Sequence, residues 1–122
     1  MRLWHYSLTP HLPRQQLLGQ HRECCALRGD GWGKPHSVVN YVFIHPYGML
    51  YNYHMLVVDE MMGRGYNIDY KWFDASYRGK TIGYQTDSFT KPINLLYPEH
   101  NEQYLQECLL NLKNKGIEIC VQ

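Results

Sequence analysis

The feature that most restricts the fold of this chain is a broad apolar stripe at helical spacing in its middle. Leu50, His54, Val57 and Met61, flanked by Tyr51, Val58 and Met62, recur every three or four positions, as on one side of an α-helix. Gly65 is the natural cap at its end, because a left-handed residue there lets the last carbonyls find partners. A helix so apolar must be covered by others. Pro13 suits the first turn of a helix running from Pro13 to Leu27 or Arg28, ended by Gly29-Asp30-Gly31-Trp32-Gly33. A shorter helix is expected across Ser37–Ile44, stopped by Pro46 and Gly48. A last one runs from Glu99 or Asn101 to Lys115, with Leu105, Leu109 and Leu112 on one side and Gly116 as its stop.

Between and around these helices the period is lost. Residues 1–8 read as an extended arm, since Trp4, Tyr6 and Leu8 alternate with His5 and Ser7, and the alternating tail Ile117–Val121 is a candidate to pair with it. Asn67 to Pro98 is expected to be mostly irregular. A chain of 122 residues buries roughly two-thirds of its unfolded surface, enough for one core, so residues 1–122 are expected to form one domain. The expected fold is mainly α: a compact single-domain bundle of about three helices with an extended N-terminal arm and a long irregular segment.

Composition narrows the function. The net charge is only +1, yet residues 1–40 hold Arg2, Arg14, Arg22, Arg28 and Lys34 against Glu23 and Asp30, and the remainder is net acidic. A basic end on an acidic body suits a local phosphate-contacting surface, although an ordinary fluctuation of a few charges gives the same numbers. Cys24 and Cys25 are adjacent, Cys108 and Cys120 are distant, and no Cys-x-x-Cys occurs, which suits reduced thiols in a cytoplasmic protein. His36, His45 and His54 recur every nine residues, a spacing that fits neither a helix face nor a ligand set, so no metal is expected. There is no signal peptide and no apolar run near the length that spans a bilayer, so no membrane is expected as a partner.

Viewed along its axis, the first helix has two sides. Leu17, Leu18, Cys24 and Cys25 form a stripe with His21 in its middle, the expected core face, which makes His21 a packing residue. Glu23 projects to the other side with Gln16, Gln20 and Gly19, flanked by Arg22 and Gln15. Gly19 and Ala26 leave a shallow channel in which another backbone, such as the N-terminal arm, can lie close to Glu23. By itself, an Arg-Glu pair on a solvated helix face is common and needs no function.

Three strings carry a resemblance. They are Met1-Arg2-Leu3-Trp4 with the helix from Leu12 to Arg22-Glu23, the segment from Gly33-Lys34-Pro35-His36 to Phe43, and the segment from Tyr53 to Arg64-Gly65-Tyr66-Asn67-Ile68. Together they resemble the pyrimidine dimer DNA glycosylase family, the phage-type endonuclease V enzymes, over about the first half of the chain. After Asp69 nothing matches. The resemblance implies a DNA repair glycosylase with AP-lyase activity on ultraviolet pyrimidine dimers, a monomer working without a cofactor on double-stranded DNA with damaged or abasic sites. A chain-terminal amine would be the nucleophile, assisted by Glu23 and Arg22. The chemistry suits such a group: an α-amino group titrates near pH ~7.7–8.0, against ~10.4 for lysine, so far more of it is neutral and nucleophilic at neutral pH.

Two departures from the family pattern bear on the site. Phage members expose a small residue after loss of methionine, whereas a large Arg2 follows Met1 here. The Met1 amine is therefore the expected nucleophile, and ungapped counting from Arg22-Glu23 puts Arg2 there instead. Gln15-Gln16 stand where the family has an acidic or amide residue and a histidine. Expected DNA contacts are Arg2, Arg14, Gln15, Gln16, Arg28, Lys34 and His36. Aromatic residues at 70–77, interleaved with Lys71, Arg78 and Lys80, offer base stacking, with packing preferred for Trp72 and Phe73. The alternatives are a non-catalytic DNA-binding module on the same scaffold, a related lyase acting on another modified base or on RNA, and a small interaction protein.

Overall fold

A computed structural model of the protein describes residues 2–29, 41–80, 82–84 and 96–119. In chain order they form a 3-10 turn at Tyr6–His11, α1 (Arg14–Arg28), α2 (Tyr41–Ile44), α3 (Tyr47–Gly63), a 3-10 turn at Tyr70–Phe73, and α4 (Glu102–Asn114). The fold is mainly helical. Among the described residues the only β-type pairing is an isolated antiparallel bridge between Tyr77 and Tyr84. None of their helices is long and apolar enough to cross a membrane.

One apolar cluster joins the elements. Leu3, Leu8 and Leu12 from the N-terminal segment meet Leu17, Cys24 and Leu27 of α1, Leu50, Tyr53, Val57 and Met61 of α3, and Cys108 and Leu112 of α4. The helix boundaries have local causes. Both α3 and α4 end in the same way: Gly65 (φ 82°) and Gly116 (φ 85°) turn left-handed. The following amides then bond back, Tyr66 N–H to the Met61 carbonyl at 3.0 Å and Ile117 N–H to that of Leu112 at 2.9 Å. Asn101 caps the start of α4 by accepting from Tyr104 N–H. Gly29 ends α1 for a tertiary reason, because a Cβ there would stand 2.7 Å from the Arg78 carbonyl oxygen.

Three expectations are corrected. The N-terminal arm is extended only up to His5 and then coils into the 3-10 turn, started by the His5 ring, whose Nδ1 accepts from Ser7 N–H. His5 is consequently buried and Tyr6 exposed, the reverse of strand alternation. The short helix expected across Ser37–Ile44 does end at Ile44, ahead of Pro46, and its residues 37–40 lie outside the described residues; Pro46 is also the N-cap of α3, with Gly48 in that helix's first turn. Ile117–Ile119 form no strand with the arm, and the rest of that tail lies outside the described residues. The buried side of α1 is rotated from the expected stripe. It comprises Leu17, Gln20, Glu23, Cys24, Leu27 and Arg28, while Leu18, His21 and Cys25 are half-buried. The rotation follows from the arm lying over the Gln20 side.

Candidate active site

The N-terminal segment is held to the body by side chains, with no strand beside it among the described residues. The Gln20 amide donates from Nε2 to the Arg2 carbonyl at 2.7 Å and accepts from Trp4 N–H at 3.0 Å. Tyr104 donates to the Leu3 carbonyl at 2.6 Å, and the Tyr53 hydroxyl reaches the Trp4 carbonyl at 2.6 Å and Gln20 Oε1 at 2.7 Å. His5 N–H points to Cys108 Sγ, and Tyr6 N–H donates to His100 Nδ1 at 3.2 Å. Because His100 Nδ1 accepts, its Nε2 carries the proton and donates to the Tyr41 hydroxyl at 2.7 Å. Burial and the neighbouring His5 push the His100 pKa down to about 3, so this ring is neutral.

Beside this segment lies a cleft of about 320 Å³ lined by Arg2, Trp4, Gln16, Gly19, Gln20 and Glu23, and across from them by Asn111 and Lys115. Glu23 is 7% exposed, and its Oε2 is buried with no hydrogen-bond partner among the described residues. Buried carboxylate oxygens are rarely left so, and Glu23 is also one of the residues that line the cleft. The Arg2 side chain is half-buried, its guanidinium 5.7 Å from the Trp4 ring and 6.0 Å from that of Tyr104. Arg22 is exposed and folds back toward Gly19, its Nη2 3.8 Å from where a Cβ would be. One wall of the cleft therefore joins an arginine, a carboxylate and a backbone segment one residue from Met1.

The expected site residues separate into groups. Arg2, Gln16 and Glu23 line the cleft, with Arg22 at its edge. Arg14 is exposed and stacks over Tyr66 at 5.2 Å, and Gln15 is exposed without lining the cleft. Met1, Lys34 and His36 lie outside the described residues. Arg28 is a correction. Far from contacting phosphate, it is completely buried, and all five of its N–H groups are taken. Nε donates to the Tyr47 hydroxyl, Nη1 to His54 Nδ1 and the Trp72 carbonyl, and Nη2 to the carbonyls of Asp74 and Tyr77, at 2.8–2.9 Å. Its plane also lies 4.9 Å from the Trp72 ring, so that aromatic residue packs against the helices, whereas Phe73 is 38% exposed. Sequence reasoning did not select Gln20, Trp4, Asn111 or Lys115. The four-residue spacing of Asn111 and Lys115, to one side of the α4 leucines, was the available signal.

A second cluster lies between α1 and α3. Arg28 can only donate, so His54 Nδ1 accepts, and its Nε2 donates to His21 Nδ1 at 2.9 Å. Burial, reinforced by nearby arginine charge, lowers the pKa of both rings, and burial pushes the Cys25 thiol up to about 12. The ligand atoms of His21, Cys25 and His54 lie within 4.8 Å of one another, as around a metal. For His54 to bind a cation through Nε2 it would have to give up the Arg28 bond, and the buried guanidinium would repel the ion. The geometry fits a neutral hydrogen-bonded chain better than a metal centre.

The family model for pyrimidine dimer DNA glycosylases matches residues 1–74, a span containing the N-terminal segment, α1 with Arg22 and Glu23, and α3. Asn111 and Lys115 lie beyond it. No curated protein and no solved structure matches the chain. The family match covers more than half of the 122 residues, and the chain belongs to the pyrimidine dimer DNA glycosylase family.

Proposed function

We propose that this protein removes ultraviolet pyrimidine dimers from double-stranded DNA as a glycosylase with AP-lyase activity, acting as a monomer through an imine formed by its N-terminal amine. The observation that carries the reading is the buried Glu23, one oxygen of which has no hydrogen-bond partner among the described residues, lining a cleft beside residues 2 and 4 of the N-terminal segment. In the first step the neutral amine of Met1 attacks C1′ of the damaged nucleotide. The C1′–N bond to the base breaks, and the base leaves with that electron pair and takes up a proton. The sugar ring opens to give a protonated imine, whose positive charge Glu23 stabilises. Glu23 then takes the C2′ proton, and the electrons of that C–H bond expel the 3′ phosphate by β-elimination. Water releases the enzyme by hydrolysing the imine. Arg22 at the edge of the cleft, with Arg2 and Lys115 inside it, offers donors to the flanking phosphates.

The test is borohydride trapping on a duplex with one abasic site and on one with a single pyrimidine dimer, with the adduct located by mass spectrometry. An adduct on the first residue is expected with both, and Glu23→Gln should slow product formation roughly 100- to 1,000-fold while leaving DNA affinity intact. Binding without any adduct, from protein with a free native terminus, would overturn the lyase mechanism and favour a non-catalytic module. Gln16 favours a second reading, because it lines the cleft where the family pattern has a histidine. A lyase for another modified base would trap on the abasic duplex and ignore the dimer.

A further inference from the structure

The six hydrogen bonds that hold residues 2–6 come from three helices and from His100, two residues before the last of them, and they do not all hold the same thing. Tyr53, Tyr104, Cys108 and His100 fix the backbone from Leu3 to Tyr6. Among the described residues, only the Gln20 Nε2 bond is made to the Arg2 carbonyl, the described carbonyl nearest the terminus. Gln20 flanks residue 3 as a neighbouring residue in a parallel sheet would, one end of its amide bonding the carbonyl before Leu3 and the other the N–H after it. The amide orientation is determined by these partners. Turned over, it would set NH₂ against the Trp4 N–H and oxygen against the Arg2 oxygen.

Gln20 and Glu23 lie three residues apart on α1, both buried and both lining the cleft. One helical turn thus carries the group that holds the end of the arm and the carboxylate beside which that end must react. A helix turn is stiff, so the distance between the two is set within a single element and does not depend on how α1, α3 and α4 shift relative to one another. We propose that Gln20 is a positioning residue for imine formation, holding the Arg2 carbonyl so that the terminal amine is presented to C1′ next to Glu23. The proposal rests on the amine mechanism above. Its physical basis is that misplacing a reacting group by about 1 Å can lower a rate roughly 100-fold without changing how the substrate binds.

The experiment measures single-turnover borohydride trapping at saturating abasic duplex, with duplex Kd and Tm measured in parallel. Gln20→Met keeps the length of the side chain and removes all of its hydrogen bonds. Its trapping rate should fall roughly 10- to 100-fold, with Kd within about threefold of the parent and the midpoint of the rate against pH unmoved. Gln20→Glu keeps the acceptor for Trp4 N–H and Tyr53, replaces the donor to Arg2 by a carboxylate oxygen that repels that carbonyl, and should also be slowed, which guards against a folding defect in the methionine variant. Cys108→Ala loosens the arm at His5; it should lower Tm and leave trapping unchanged, as a merely structural contact would. Trapping by both Gln20 variants at the parent rate would overturn the positioning role while leaving the amine mechanism standing. Failure of the parent itself to form an adduct at its first residue would overturn both.

Discussion

Single residues here take their roles from burial more than from type. Arg28 and Arg22 lie on the same helix in the same basic segment, yet one is enclosed by four oxygen acceptors and a histidine and the other is exposed at the edge of a cleft. The Arg-Glu pair was legible through its resemblance to the family pattern, and Gln20 was visible as a neighbour of Glu23 on the helix surface. That Arg28 turns inward was not legible, because its acceptors are carbonyls of Trp72, Asp74 and Tyr77, more than forty positions away. Arg28→Met should therefore cost about 3–5 kcal/mol, by stranding those buried carbonyls and the Tyr47 hydroxyl. Arg28→Lys should not restore it, since an ammonium cannot span the same five partners. Urea denaturation checks the loss. The folded variant should keep the parent's salt dependence of DNA binding, where loss of a phosphate contact would lower the slope by about one.

At the scale of elements, α1, α3 and α4 follow from period and punctuation, and the glycines at 65 and 116 end the last two by a purely local mechanism. The N-terminal turn shows where that reasoning stops. Alternation over residues 1–8 describes a strand only if a neighbouring strand takes up its N–H and C=O groups, and here side chains from α1, α3 and α4 do so instead. The end of α1 is likewise tertiary, set by the approach of the Arg78 carbonyl to Gly29. Gly29→Ala should destabilise the protein by about 1–3 kcal/mol, because backbone on both sides of the contact must give way. Its denaturation midpoint should fall with an unchanged m-value. A midpoint equal to that of the parent would show that the segment around Arg78 yields freely.

At the scale of the molecule, four buried or half-buried histidines that join separate elements are pushed toward their neutral form. His54 and His21 link α3 to α1, and His5 and His100 bring the N-terminal segment to the start of α4; burial lowers the pKa of all four below the usual 6.5. A histidine with a lowered folded pKa binds its proton in the unfolded chain first, so its contribution is complete above pH 6.5 and is lost as pH falls toward the folded value. For His100, at about 3, the loss should reach roughly 3 kcal/mol by about pH 4.5. Tm measured from neutral to acid pH should drop through this window, and His100→Asn, whose Oδ1 can still accept from Tyr6 N–H, should flatten the drop; an equal slope would remove His100 as a contributor. The amino-acid sequence by itself determined the helical class, the approximate limits of α1 and α4 and the end of α3, since period and caps act within a few residues. Only the tertiary structure decided that Gln20 grips the arm, that Arg28 is internal, and that Asn111 and Lys115 close the cleft around Glu23. Each of these depends on desolvation and on partners distant in the chain, which no local pattern encodes.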